Sequence, residues 1–353
     1  MSWIERIARP DILALAAYEH AAWLPSLERL HANELPWRQA DDGTRAGLNR
    51  YPEPQPRELI ARLAALYEVP PQCLLATRGS DEAIDLLVRA FCRAGTDAVI
   101  VCPPTFGMFA VAAGIQGARV INVPLRAQNG FDLDVPLLLE RCAEEVKLIF
   151  LCSPNNPTGN LMSEESVRRI AAQVAGRALV VVDEAYIEFA GVASLACHVE
   201  KLPQLAILRT LSKAHALAGA RLGSLIAAPE VIALLRKVIP PYAITQLTVE
   251  HVLLAFQTSL AALPERVAAI QDERLRLTQA LACMSSVARV WPSAANFLLV
   301  DFATVEAASL ALSRAVTAGL LIRDLRRESA LPRALRISIG TPEQNDRLIE
   351  ALR

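Results

Sequence analysis

Six short runs, apolar on nearly every residue, constrain this chain more than anything else in it: Ala98-Val-Ile-Val-Cys102, Val120-Ile-Asn-Val123, Leu148-Ile-Phe-Leu-Cys152, Leu179-Val-Val-Val182, Leu205-Ala-Ile-Leu208 and Leu222-Gly-Ser-Leu-Ile-Ala227. Successive residues of a strand point to opposite faces, so a strand apolar throughout needs both faces covered. That is the condition of a mainly parallel sheet packed between helices. The intervening segments can supply those helices. Asp81 to Ala94, Ser163 to Ala175 and Pro229 to Val238 carry apolar residues at three-and-four spacing, and Gly95 follows the first as a helix stop. The expected fold class is α/β, with a large doubly wound sheet domain.

At 353 residues the chain exceeds one ordinary core. After Pro240-Pro241 the pattern changes: residues 244 to 284 hold few turn formers and predict one or two long helices. Strand patterns return at Asn296 to Phe302, Leu320 to Arg323 and Ala334 to Ile339. Helical runs from Thr304 to Ala318 and from Pro342 onward separate or follow them, which predicts a smaller α+β domain. Leu35 to Pro56, rich in Pro, Asp, Asn and Gly, reads as an ordered loop or arm. The expected division is residues 1–50 as N-terminal arm and part of the small domain, 51–242 as the large domain, 243–284 as connecting helices and 285–353 as the small domain.

With 53% hydrophobic and 21% charged residues the chain can build a packed core, and a net charge of -1 leaves no cationic surface to draw nucleic acid or an anionic membrane. The seven cysteines are scattered, mostly in apolar runs, and form no CxxC pair. They read as reduced core residues rather than disulfides or a zinc site. Glu5 and Asp11 interrupt the apolar residues near the N-terminus, which argues against a signal peptide or a membrane span there. A cytoplasmic protein is expected.

The chemistry gathers at strand ends, where open α/β sheets bind ligands. Thr210-Leu-Ser-Lys213 follows one run, and Lys213 is the only lysine between Lys201 and Lys237. Its apolar neighbours would desolvate it, and an amine kept partly neutral can attack a carbonyl. Leu179-Val-Val-Val-Asp183-Glu-Ala-Tyr186 ends another buried run in a carboxylate. Asp183 could bind a metal or cap a helix, but no partner ligands stand at metal spacing, so pairing with a pyridinium nitrogen fits better. Ser153-Pro-Asn-Asn156-Pro-Thr-Gly159 reads either as a tight loop or as a rigid turn that fixes the Asn156 amide beside a phenolate oxygen. Thr77-Arg-Gly-Ser80-Asp81-Glu is either an ordinary N-cap or an anion cradle at a helix start, with Arg221 and Ser212 as partners for a phosphate.

These segments, with Pro103-Pro-Thr-Phe106-Gly-Met108 and Arg221-Leu-Gly223, resemble the fold-type I pyridoxal-phosphate aminotransferases. Asn33-Glu34, Asn49-Arg-Tyr-Pro52 and Leu335-Arg-Ile-Ser-Ile-Gly-Thr341 are most similar to the histidinol-phosphate group within that family, so the resemblance runs along nearly the whole chain. It implies pyridoxal 5'-phosphate as cofactor, held as a Schiff base on Lys213, which would also move the proton of the reaction. Asp183 would pair with the ring nitrogen, and Asn156 and Tyr186 with the ring hydroxyl. Phe106 would stack on the ring, where many relatives have Tyr. Ser80, Asp81, Ser212 and Arg221 would hold the phosphate, and Tyr51 would reach the phosphate of the neighbouring subunit in a homodimer with shared sites. Arg323, Arg336 and Tyr18 would contact substrate, although the Ser-Ala-Arg usual after that tyrosine is replaced by Glu19-His-Ala-Ala-Trp23.

The implied reaction exchanges an amino group between L-histidinol phosphate and 2-oxoglutarate, giving imidazole acetol phosphate and L-glutamate, in L-histidine biosynthesis. Aromatic amino-acid transamination and decarboxylation of the threonine-phosphate kind are alternatives on the same scaffold. A nicotinamide-dependent dehydrogenase would need G-x-G-x-x-G after an early strand, and the chain has none. A regulator that only senses the cofactor would need a DNA-binding module, for which no segment is spare.

Overall fold

A computed structural model describes residues 2–20, 24 and 27–353. The six expected runs form strands, and a further one joins them. In chain order they are β1 (Leu74–Thr77), β2 (Ala98–Val101), β3 (Arg119–Asn122), β4 (Val146–Cys152), β5 (Leu179–Asp183), β6 (Leu205–Thr210) and β7 (Gly223–Ala227), arranged β1-β7-β6-β5-β4-β2-β3. Neighbours from β6 to β3 run parallel, and β7 is antiparallel to both β6 and β1. The sequence did not announce β1, because of Leu74-Leu-Ala-Thr77 only Thr77 is β-branched. Its pairing with β7, Thr77 opposite Gly223, supplies what local propensity lacks.

The two-faced apolar pattern has a direct counterpart in packing. Val180 and Val182 of β5 enter one core with Ile149, Leu151, Leu205 and Ile207; Leu179 and Val181 enter the other with Leu148, Phe150, Ala206 and Leu208. Helices Arg57–Leu66, Val135–Arg141 and Glu164–Gln173 cover the first face, and Gly79–Phe91, Met108–Gln116 and Pro229–Leu235 the second. The N-terminal segment departs from expectation. Rather than joining the small domain, the helix Trp3–Ile7 buries Ile4 and Ile7 in the second core beside Leu75 and Phe91, because its apolar side is needed to close that face.

Beyond the helices Gln246–Thr258 and Leu263–Ala282 lies a four-stranded antiparallel sheet: β8 (Val287–Val290), β9 (Phe297–Phe302), β10 (Arg323–Asp324) and β11 (Ala334–Ser338), ordered β10-β11-β9-β8. β8 was not anticipated, and β10 begins later than Leu320. The helix Val305–Thr317 accounts for that shift: Gly319 turns at φ +75° and the Leu320 N–H donates to Ala315 O, so Leu320 still belongs to the helix end.

Candidate active site

The carboxyl ends of β4, β5 and β6 lie side by side, with Cys152 in register with Asp183. The helix Gly79–Phe91 starts just beyond β1. Between them opens a cleft walled by Ser80, Asp81, Phe106, Asn156, Asp183, Tyr186, Ser212, Lys213 and Arg221, all singled out from the sequence. Gly79, Cys152, Ala185, Thr210 and Ala218 complete the wall.

The helix start is built to receive an anion. Its N-cap residue is Arg78, and no side chain caps it, so Ser80 is not spent on the N-cap role. Glu82 is turned back onto Arg78, accepting from its backbone N–H at 2.7 Å and from its guanidinium. Arg221, itself left-handed at φ +53°, donates to Asp81 Oδ2 at 3.2 Å and lies over Gly79, where a Cβ would fall 2.7 Å from its Nη2. From the other side Gly223 lets β7 approach: an added Cβ would stand 2.5 Å from Ser80 N. We expect Gly223→Ala to push the helix start off the cleft and to weaken binding of inorganic phosphate at least ~10-fold, measurable by calorimetric titration.

Asp183 is almost fully buried, and that burial pushes its carboxyl up to about 7. The Ala185 N–H, donating to Oδ1 at 3.0 Å, and Lys213 oppose the shift, while Asp81 and Glu184 add to it. Lys213 is exposed to the cleft, with Nζ 5.5 Å from the Tyr186 ring centroid. Desolvation by the cleft walls, aided by Arg336, nevertheless holds its pKa below the ordinary lysine value. The sequence predicted that direction, but it arises from the walls of an open cleft rather than from enclosure of the side chain.

Asn156 Nδ2 donates to Tyr186 Oη at 3.4 Å, and its Oδ1 accepts from Arg336 Nη1, so three sequence-predicted groups meet at one point. Burial, with Cys152 and Asp183 nearby, raises the Tyr186 pKa and keeps it a neutral phenol. Phe297, which the sequence reading missed, packs edge-on to Tyr186 at 5.1 Å and lies under the Arg336 guanidinium at 5.3 Å. Only its position at the start of β9 could have signalled it.

Four predicted residues are not among those walling the cleft: Arg336, which reaches it through Asn156, and Arg323, Tyr51 and Tyr18. Arg323 pairs across from Arg336 in the β10–β11 ladder but is exposed. Tyr51 stacks on Tyr242 at 4.7 Å and is half exposed, and Tyr18 packs edge-on to His20. Of the unusual stretch after Tyr18, Ala21 to Trp23 lie outside the described residues.

Residues 29–352 match the family model of aminotransferase class I and II. A histidinol-phosphate aminotransferase from Stenotrophomonas maltophilia is 48% identical over 351 residues, 98% of this chain and 95% of that protein. One from Xylella fastidiosa is 50% identical over 330 residues, 92% of this chain and 88% of that protein. Among solved structures, histidinol-phosphate aminotransferase from Sinorhizobium meliloti in complex with pyridoxal-5'-phosphate superposes with a TM-score of 0.75 at 27% identity, covering 86% of this chain and 82% of that one. Since the matched region takes in both sheets and every residue that walls the cleft, the chain belongs to the class I and II aminotransferases.

Proposed function

We propose that this chain transfers the amino group between L-histidinol phosphate and 2-oxoglutarate, using pyridoxal 5'-phosphate, as a step of L-histidine biosynthesis. The observation that carries the reading is the meeting of Lys213, Asp183 and an uncapped helix start with Arg221 in one cleft. The substrate is suggested by relatives of that name at 48% and 50% identity over nearly the whole chain.

The residues suit the cofactor on chemical grounds. The free N–H groups of the helix start, with Ser212 and Arg221, suit a phosphate dianion. The cradle is one that a Cβ at Gly79 or Gly223 would fill. Asp183 is a buried carboxylate in want of a cationic partner, which a protonated ring nitrogen provides. When bound, the cofactor supplies an aldehyde for amines to condense with and a ring that draws electrons from the amine-bearing carbon.

Lys213, its pKa held below the ordinary lysine value by desolvation, gives up its proton more readily than a solvated lysine; it would hold the cofactor through Nζ, and the same Nζ would carry a proton to and from the substrate carbon. Asp183 would keep the ring nitrogen protonated, Asn156 and Tyr186, which meet at the cleft, would hold the ring hydroxyl, and Phe106 would offer a stacking face. Arg336, already engaged with Asn156 at the cleft, offers its fork to the glutamate carboxylate; Arg323 and Tyr18 would meet the larger substrate. In the same reading the protein is a homodimer in which Tyr51 reaches the neighbouring site. Leu30, Leu35 and Trp37, each at least 70% exposed on the same segment, want a partner surface of that kind.

The test is an absorbance spectrum of the purified protein with product analysis. We expect a visible cofactor band that bleaches on adding glutamate and again, after reoxidation by 2-oxoglutarate, on adding L-histidinol phosphate. Bleaching by glutamate and aromatic amino acids but not by histidinol phosphate would sink the substrate assignment. Carbon dioxide release would mark a decarboxylase.

A further inference from the structure

The segments that carry the cleft residues also carry a buried charge cluster that the reaction above does not use. Arg209 is the penultimate residue of β6, Glu188 lies two residues past Tyr186, and His215 two past Lys213. Arg209 Nη2 donates to Glu188 Oε1 at 2.8 Å, its Nη1 stands 3.7 Å from Glu184 Oε2, and its guanidinium lies 4.7 Å over the Tyr67 ring. His215 Nδ1 is 3.9 Å from the same Glu188 oxygen. The Arg209 and Glu188 side chains are about nine-tenths buried and that of His215 is 1% exposed.

A buried ion pair is weak evidence of stability, since an apolar pair of similar volume often serves as well. Its distinctive property is geometry, because a guanidinium held between two carboxylates has one arrangement. Here that arrangement ties the turn after β5 to the end of β6. The turn of Lys213 is closed by its own backbone, with the Leu217 N–H donating to Leu211 O at 3.0 Å and the Ala216 N–H to Lys213 O at 3.1 Å, and it is seated on the fold by the two residues that follow the lysine. Ala216 is left-handed at φ +59°, Lys213 and Ala216 are exposed, and the turn is buried mainly through Ala214 and His215. The charges that bear on Lys213 are Arg336, Asp183, Asp81 and Arg221, none of them in this cluster, so its influence on the lysine is one of position.

We propose that Arg209, Glu188 and His215 are positioning residues: the Glu188–Arg209 pair fixes the Tyr186 turn against the strand leading to Lys213, and His215, seated beside Glu188, anchors the lysine's turn so that Nζ stays aimed into the cleft. The proposal rests on the cofactor reading above.

It is tested with the full chain as purified. The double variant Glu188→Gln/Arg209→Met removes both charges at similar volume and leaves Glu184 its bonds from Ser194 and Leu195. Misplacement of a reacting group by an ångström costs up to ~100-fold in rate, so we expect kcat to fall roughly 10- to 100-fold while KM for glutamate stays within about twofold. The visible circular dichroism of the bound cofactor should change, and the melting temperature of the cofactor-free protein should stay near that of the parent. Glu188→Asp, which keeps the charge and withdraws the carboxylate by one methylene, should show the same kcat loss to a smaller degree and decides the matter should the double variant not fold. Parent-like kcat and dichroism in a folded variant would overturn the proposal. A parent protein with no cofactor band would instead overturn the underlying cofactor reading.

Discussion

Lys213→Ala is expected to fold like the parent and to lose its visible cofactor band together with roughly 10³- to 10⁴-fold or more of its turnover, the scale of a lost acid–base and nucleophilic group. Folding should survive because Lys213 is exposed to the cleft and the core clusters contain no part of it. The companion Lys213→Arg separates charge from chemistry. It retains a cation near Asp183, but a guanidinium does not surrender its proton at neutral pH, so it should be as inactive as the alanine variant. The check is absorbance plus steady-state transamination on both variants. An alanine variant that keeps the band and the rate would remove Lys213 from the mechanism.

Asp183→Asn should move activity and stability in opposite directions. Truncating one partner of a buried charge pair costs about 2–5 kcal/mol, so turnover should fall by about two to three orders of magnitude once the amide can no longer hold the ring nitrogen charged. In the cofactor-free protein, however, the carboxylate is a liability. Its folded pKa is raised to about 7 by burial, above the ordinary carboxylate value. The stability this group contributes is therefore complete below about pH 4 and is lost as pH rises toward and through about 7, a difference on the order of a few kcal/mol. The asparagine variant has nothing to ionise and can still accept from the Ala185 N–H. Without cofactor it should melt above the parent at pH 8, the gap narrowing toward pH 4. Thermal melts of cofactor-free parent and variant at three pH values would show this, and an unchanged gap across that range would count against the buried-carboxylate account.

What the sequence disclosed, and what it hid, follows from how each feature is held in place. Strands buried on both faces, such as Leu179–Asp183, announce themselves because every residue must be apolar. β1 and β8 do not, since one is stabilised by pairing with β7 and the other, Val287–Val290, by pairing with β9. The cleft was legible where chemistry demands particular types at strand ends, as with Asp183, Asn156 and Lys213. Phe297 was hidden because an aromatic at a strand start is ordinary, and only the fold brings it under Arg336. The Arg209–Glu188–His215 cluster was hidden for a different reason. Charged residues in a sequence read as surface, and nothing local reveals that these are buried together.

The neighbouring of β1 and β7 carries a consequence for how the chain acquires its site. Asp81 and Arg221, which face each other across the anion cradle, stand 140 residues apart in sequence. Contacts of such long range carry a loop-closure cost and slow the search for the native state. A ribosome-bound chain that has emerged as far as β6 therefore has the helix start of the cradle but neither its arginine nor Gly223 beneath it. The phosphate ligand can then act only on the finished sheet: it adds to the lifetime of the folded enzyme by mass action and does nothing to guide the chain there.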